Sequence, residues 1–360
     1  VSVASKTVTR PWQMQYAFLS GPFYDHTLIV GVAFIAILSG YLVHVEPGLF
    51  TPVLFLDLWL LGYHHVISTF TKLAGTRQDR QENQFLLYRL PLIVIAAVVG
   101  CYLVSGIWSI VTIYFFWQWY HYTRQAYGIS AFYQRKTGVK QPVLRSRLDH
   151  AAVWAIPVWG LVHRCTEGWE TFIYQPVWLP ALPAVASTVA MFAAIAVVSV
   201  WLALRVDDLA MGRFSYAPFM FLVSHHLVFY IAYVLTPDMT TGWLVANVWH
   251  NAQYILFVWL FNQNRFRGPE KEALSPLMFW LCQRSPYRTL MYFLVCIGIT
   301  TVVYGMLDQG TQLIAADNLT MLLGIKVVLF QSINFHHYVV DSYIWKARKK
   351  SHQEIMNVAA

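Results

Sequence analysis

The sequence predicts an all-α fold, a polytopic integral-membrane helix bundle of about ten transmembrane helices with both termini cytoplasmic. Three observations carry that expectation. Of the 360 residues, 58% are apolar and only 12% are charged, against about one-quarter charged in an ordinary soluble domain. Apolar runs of about 20 residues, the length that crosses a ~30 Å hydrocarbon core as helix, recur along the whole chain, and the mean hydropathy is +0.49. Basic residues gather in alternate connections, as they do in the cytoplasmic loops of membrane proteins.

Taken in order, the spans fall near 26–45, 49–70, 85–104, 107–132, 150–163, 179–204, 214–236, 242–263, 289–307 and 318–345. The fifth is short, so whether it crosses fully is open. Lys6 and Arg10 precede the first span, and the second, fourth, sixth, eighth and tenth are each followed by basic residues: Lys72, Arg77 and Arg80; Arg135, Lys136, Lys140, Arg145 and Arg147; Arg205 and Arg213; Arg265, Arg267, Lys271, Arg284 and Arg288; Lys346, Arg348, Lys349 and Lys350. The other connections hold Glu46, Glu167, Glu170, Asp238, Asp308 and Asp317, with Arg164 as their base. The net charge of +8 is therefore topological. Its natural partners are membrane lipids with anionic headgroups, and nucleic acid is not needed to explain it. The expected organisation is a cytoplasmic leader over 1–25, one transmembrane domain over 26–346 with an amphipathic inner-surface helix at 264–288, and a basic cytoplasmic tail over 347–360, in a bacterial inner membrane. No cleavable signal peptide is visible. Cys101, Cys165, Cys282 and Cys296 show no metal or disulfide spacing.

Ionisable residues inside a bilayer are costly and mark functional sites, and here they are mainly histidines. Adjacent pairs occur as His64-His65, His225-His226 and His336-His337, and single ones as His121 and His250. Counted at 1.5 Å per residue from the first inner basic residue of each span, the eight lie about 11 to 22 Å deep. Five helices at one depth can build a metal centre, so all eight are candidate ligands. Asp341, four residues after His337 and on the same helix face, is the ninth. Asp57, Gln118, Gln125, Asn247 and Gln253 are placed to hold ligand imidazoles by their second nitrogen. Trp117, Trp119 and Tyr120, in the aromatic run before His121, are candidates for a substrate channel. Imidazole plus carboxylate without thiolate points to iron, as two ions, ahead of copper, manganese or zinc. Haem ranks lower because neighbours on a helix diverge by about 100°. His26, His44, His150, His163 and His352, at span ends or in loops, read as hydrogen-bonded polar residues, and Arg124 and Lys326 receive no role.

Through the pairs in YHHVIS, SHHLVF and FHHYVVD and its polytopic background, the chain resembles the multi-histidine integral-membrane non-haem iron oxygenases: fatty-acid desaturases, alkane hydroxylases and Brp/Blh-type carotene dioxygenases. It has neither HxxxH nor HxxHH, so no catalytic residue carries over. The resemblance implies a reaction class: dioxygen activated at membrane-embedded iron for hydroxylation, desaturation or cleavage of a lipid or isoprenoid, with an electron-donor protein docking on the cytoplasmic side. The competing expectations are an accessory subunit of a respiratory, photosynthetic or oxygenase complex, a haem-binding electron-transfer subunit, and a histidine-relay transporter.

Overall fold

The computed structural model describes residues 14–139, 141–315 and 318–359. Lys6, Arg10, Lys140 and Asp317 lie outside the described residues, as does most of the expected leader. Among the described residues ten helices of 20 residues or more follow one another: α1 Pro22–Val45, α2 Pro47–Leu73, α3 Phe85–Ser105, α4 Ile107–Lys136, α5 Val143–Thr166, α6 Ala184–Ala210, α7 Tyr216–Leu235, α8 Met239–Arg265, α9 Pro286–Ala315 and α10 Leu319–Ile344. Seven of them, all but α4, α5 and α8, are long and apolar enough to cross a membrane. The chain is an integral membrane protein.

Of the three more polar helices, α8 is so because of where it sits. Nearly every residue of α8 is buried, from Met239 to Gln263, and it packs against α1, α2 and α4. Surrounded by protein, it carries Asn247, Asn251, Gln253 and Asn262, whose side-chain amide N–H groups donate to neighbouring helices, partners that lipid lacks. α3 and α6 show the opposite case. Only 17% of the most apolar window of each is buried, and the rest offers Leu92, Leu103, Val189 and Phe192 to the surroundings. α1 approaches α8 closely enough that a Cβ on Gly40 would stand 2.2 Å from Val245 Cγ2. Glycine is required there.

Two expectations are corrected. α5 is 24 residues long, because its first turn is charged rather than apolar: Arg145 pairs with Asp207 and Asp208 at the end of α6. The 264–288 segment is not one surface helix. Pro269 opens a short 3-10 turn to Leu274 and Pro276 starts a helix ending at Leu281, since proline is tolerated in a first helical turn and breaks a continuing one. The short helix buries Met278 and Leu281 and leaves Leu277 and Trp280 exposed. Between α5 and α6 a two-residue hairpin, β1 Thr171–Phe172 and β2 Gln175–Pro176, seats Phe172 fully buried against Tyr114, Phe115 and Trp243.

Arg164, the base among the acidic connections, is fully buried. Its guanidinium donates to Glu167 and to the carbonyls of Ala232, Thr236 and Pro237, clamping α5 to the α7–α8 connection. Lys326 is paired with Asp308 at 2.6 Å. All four cysteines are free thiols.

Candidate metal centre

Four helices, α2, α4, α8 and α10, bring His65, His121, His250, His337 and Asp341 into one buried cluster. Two overlapping groups could hold a metal ion, His65 with His250 and His337, and His121 with His337 and Asp341; within each, one donor atom per residue lies within 4.8 Å of the others. His65 Nε2 is 3.0 Å from His337 Nε2. Asp341 Oδ2 is 3.4 Å from His337 Nε2 and 3.7 Å from His121 Nε2. Two donors bound at about 2.0–2.1 Å to one ion stand about 2.9 Å apart at a right angle and about 3.4 Å apart at the tetrahedral angle. The observed separations need little adjustment to match.

The unsatisfied atoms make a second test. A buried polar group without a partner costs about 1–3 kcal/mol. Among the described residues, both ring nitrogens of His250, Nε2 of His121 and Nδ1 of His65 have no hydrogen-bond partner, although the three rings are at most 7% exposed. Unpartnered imidazole nitrogens on three rings of one buried cluster fit a cation.

The ring planes are held from outside. His337 Nδ1 lies 3.1 Å from Thr69 Oγ1, which also meets the Tyr254 hydroxyl at 2.8 Å. Tyr254 donates to Asp341 Oδ1 at 2.7 Å and accepts from Trp345 Nε1, leaving Oδ2 free toward the histidines. Tyr122 lies on His250, ring centroids 4.1 Å apart, and its hydroxyl is bound by Gln118 and Asn247. Asn247 in turn donates to Asp57, which also accepts from Asn251. Gln125 donates to the His250 carbonyl rather than to its ring.

Several expected members stand elsewhere. His64 turns to the Leu60 carbonyl and Phe293, and His336 to the Leu86 carbonyl, as the 100° step between neighbours requires. His225 and His226 bond to the carbonyls of Val153 and Ala152. The reason lies in α5: Pro157 has no N–H for the carbonyl four residues earlier, which is that of Val153, and the His225 ring at 2.8 Å fills the gap. Asp57 does not share the face of His64, because a π-helical turn, Leu58–Gly62, intervenes and shifts the register. Gln253 reaches the Leu28 carbonyl. Trp119 donates to the Pro157 carbonyl and packs on Trp154.

Trp117 and Tyr120 do line a cavity of about 850 Å³, which His121, Tyr254 and Asp341 also line. Aromatic residues and the basic Arg124, Arg135, Lys346 and Arg348 complete its walls. Thr69, Tyr254, Tyr122 and Arg124 were not foreseen as site residues. A signal for two of them was present. Polar partners stand four residues after three of the clustered histidines: Thr69 after His65, Tyr254 after His250, Asp341 after His337. That spacing stacks them on one helix face.

Compared with known proteins, the chain matches no protein-family model, no curated protein and no solved structure.

Proposed function

We propose that the protein is a membrane-embedded, metal-dependent oxidoreductase that uses histidine- and carboxylate-bound iron to activate dioxygen against a lipid-soluble substrate. The observation that carries the reading is the convergence of four buried imidazoles and one carboxylate, with His250 and His121 nitrogens left unpartnered. Two histidines and one carboxylate with open positions are the donor set of non-haem iron(II) oxygenases, and His121, His337 and Asp341 supply it, with His121 and Asp341 on the wall of a cavity. One nitrogen binds one ion, and His337 Nε2 faces both groups, so this donor set favours a single ion with His65 and His250 as further ligands over two separate irons. Imidazoles 4.5 to 5.3 Å apart between centroids leave no slot for haem.

Bound iron would supply dioxygen activation. The chain's own residues do the rest: Thr69 and Tyr254 fix the His337 ring and the Asp341 carboxylate, Tyr122 fixes the His250 plane, and the aromatic wall admits apolar substrate while excluding water. The reading includes ten membrane crossings with both ends on the basic side. Hydroxylation or desaturation draws electrons from a donor docking on that side, and dioxygenative cleavage needs none.

Elemental analysis of protein purified without chelators tests it. About one equivalent of iron is expected in the wild type and much less in Asp341→Asn; well under one equivalent of any transition metal in the wild type overturns the reading. The continuous chain His65, His337, Thr69, Tyr254, Asp341 favours a second reading, a proton relay, which predicts proton flux in liposomes by metal-free protein.

A further inference from the structure

The cavity lined by His121 and Asp341 is also lined by Arg124, Arg135, Lys346 and Arg348. Four arginines elsewhere pair with carboxylates, Arg145 and Arg213 with Asp207, Arg205 with Asp149 and Arg265 with Asp79, whereas surface arginines such as Arg147, Arg284 and Arg288 stand without one among the described residues. Among the described residues none of the four cavity cations has such a partner. Arg135 donates to the Ala359 carbonyl at 3.3 Å, and Lys346 Nζ lies 5.4 Å from the Tyr343 ring centroid. The one acid on the cavity wall, Asp341, is turned to Tyr254 and the histidines. Four positive charges thus line one cavity without a carboxylate partner among the described residues.

Arg124 is the informative member. Helix-end cations are explained by topology, but Arg124 lies within α4, one turn from His121, about 4.5 Å along the axis, and about 16 Å from the level of Arg135. A cation one turn from His121, on the wall of a cavity and without a carboxylate partner among the described residues, is a binding group in waiting. The volume of about 850 Å³ is in the range of sites that enclose a molecule of drug or lipid size. Trp117, Tyr120, Phe132 and Phe257 supply the apolar surface.

We propose that the cavity binds an anionic amphiphile, a single-chain lipid whose carboxylate or phosphate head pairs with Arg124 and the basic mouth while its apolar part lies along the aromatic wall. As an assignment of substrate this rests on the metal-centre reading; as a binding site it is tested separately.

The probes are palmitate, hexadecyl phosphate and neutral monopalmitoylglycerol, titrated onto the full chain in phosphatidylcholine nanodiscs and read by native mass spectrometry, with iron measured on the same preparations. Palmitate or hexadecyl phosphate should bind at least about tenfold tighter than the neutral lipid, the effect of one charge-assisted hydrogen bond. The tighter of the two identifies the head. Arg124→Gln should abolish the preference with iron content unchanged, and Arg348→Gln, at the exposed rim, should weaken it and serves should Arg124→Gln not fold. Arg284→Gln, outside the cavity, should leave it intact. Equal binding of the neutral lipid, a preference that survives both cavity substitutions, or equal affinity for inorganic phosphate or acetate alone overturns the proposal. Iron present with no head preference sinks this inference and leaves the metal centre standing; head preference without iron does the reverse.

Discussion

Replacing His250 by leucine separates a metal centre from an empty polar core by the sign of the effect. His250 is 1% exposed and neither ring nitrogen has a protein partner. With no ion bound, removing two unsatisfied polar groups at about 1–3 kcal/mol each relieves about 2 to 6 kcal/mol, so His250→Leu should be more stable than metal-free wild type. With an ion bound, the wild type gains about 2.7 kcal/mol at a metal concentration one-hundred-fold above Kd, and about 4 at one-thousand-fold, and the variant forfeits most of that. At about 2.1 cal/mol/K per residue over a chain of this length, 3 kcal/mol moves a cooperative midpoint by about 4 °C. The assay is thermal unfolding in detergent, with and without a chelator and added iron(II). The wild-type midpoint should fall by several degrees on chelation, whereas that of His250→Leu should not move and should lie above the chelated wild type. A wild-type midpoint indifferent to chelator and to every added metal, below that of the variant throughout, would falsify the metal argument.

Thr69→Val keeps the shape but removes the hydroxyl that meets both His337 Nδ1 and Tyr254, and it should weaken metal affinity about 10- to 100-fold in a competition titration, with helix content unchanged by circular dichroism. His225→Phe should leave metal content unaltered, because His225 serves the Val153 carbonyl exposed by Pro157, while costing about 1–3 kcal/mol of stability; loss of metal in this variant would show that the ligand set is larger than the cluster. His352 lies outside the spans, on the C-terminal helix Lys350–Met356, and burial, with Lys72 and Lys349 alongside, pushes its pKa from 6.5 to about 4. It is neutral when folded and protonates first in the released segment. Its contribution is therefore present above about pH 6.5 and is lost between there and about pH 4, so proteolysis of the C-terminal segment should accelerate over that interval in wild type and less in His352→Phe.

The fold was largely legible because long helices leave local marks. Apolar runs and alternating basic connections placed ten elements, and the ten long helices overlap those positions; the segment at 264–288 was misread where prolines mattered more than amphipathicity. The candidate site was legible in type and depth, through the histidines and the His337–Asp341 spacing, but not in membership. Distance along a helix comes from counting residues, whereas the direction a side chain faces around the bundle depends on which neighbour packs there. So eight histidines at one level separate into four that meet, two turned away by the 100° step, and two taken up by the carbonyls of Ala152 and Val153. A π-helical turn, invisible to periodicity, moved Asp57 onto Asn247 and Asn251 instead of His64. Arg124 could be seen in the sequence as a charge within an apolar run, but only the cavity beside it says what that charge faces. Composition and spacing determined that this is a membrane bundle with imidazole in its middle; the tertiary structure decided which imidazoles share one point, because convergence is a relation between helices and no single helix encodes it.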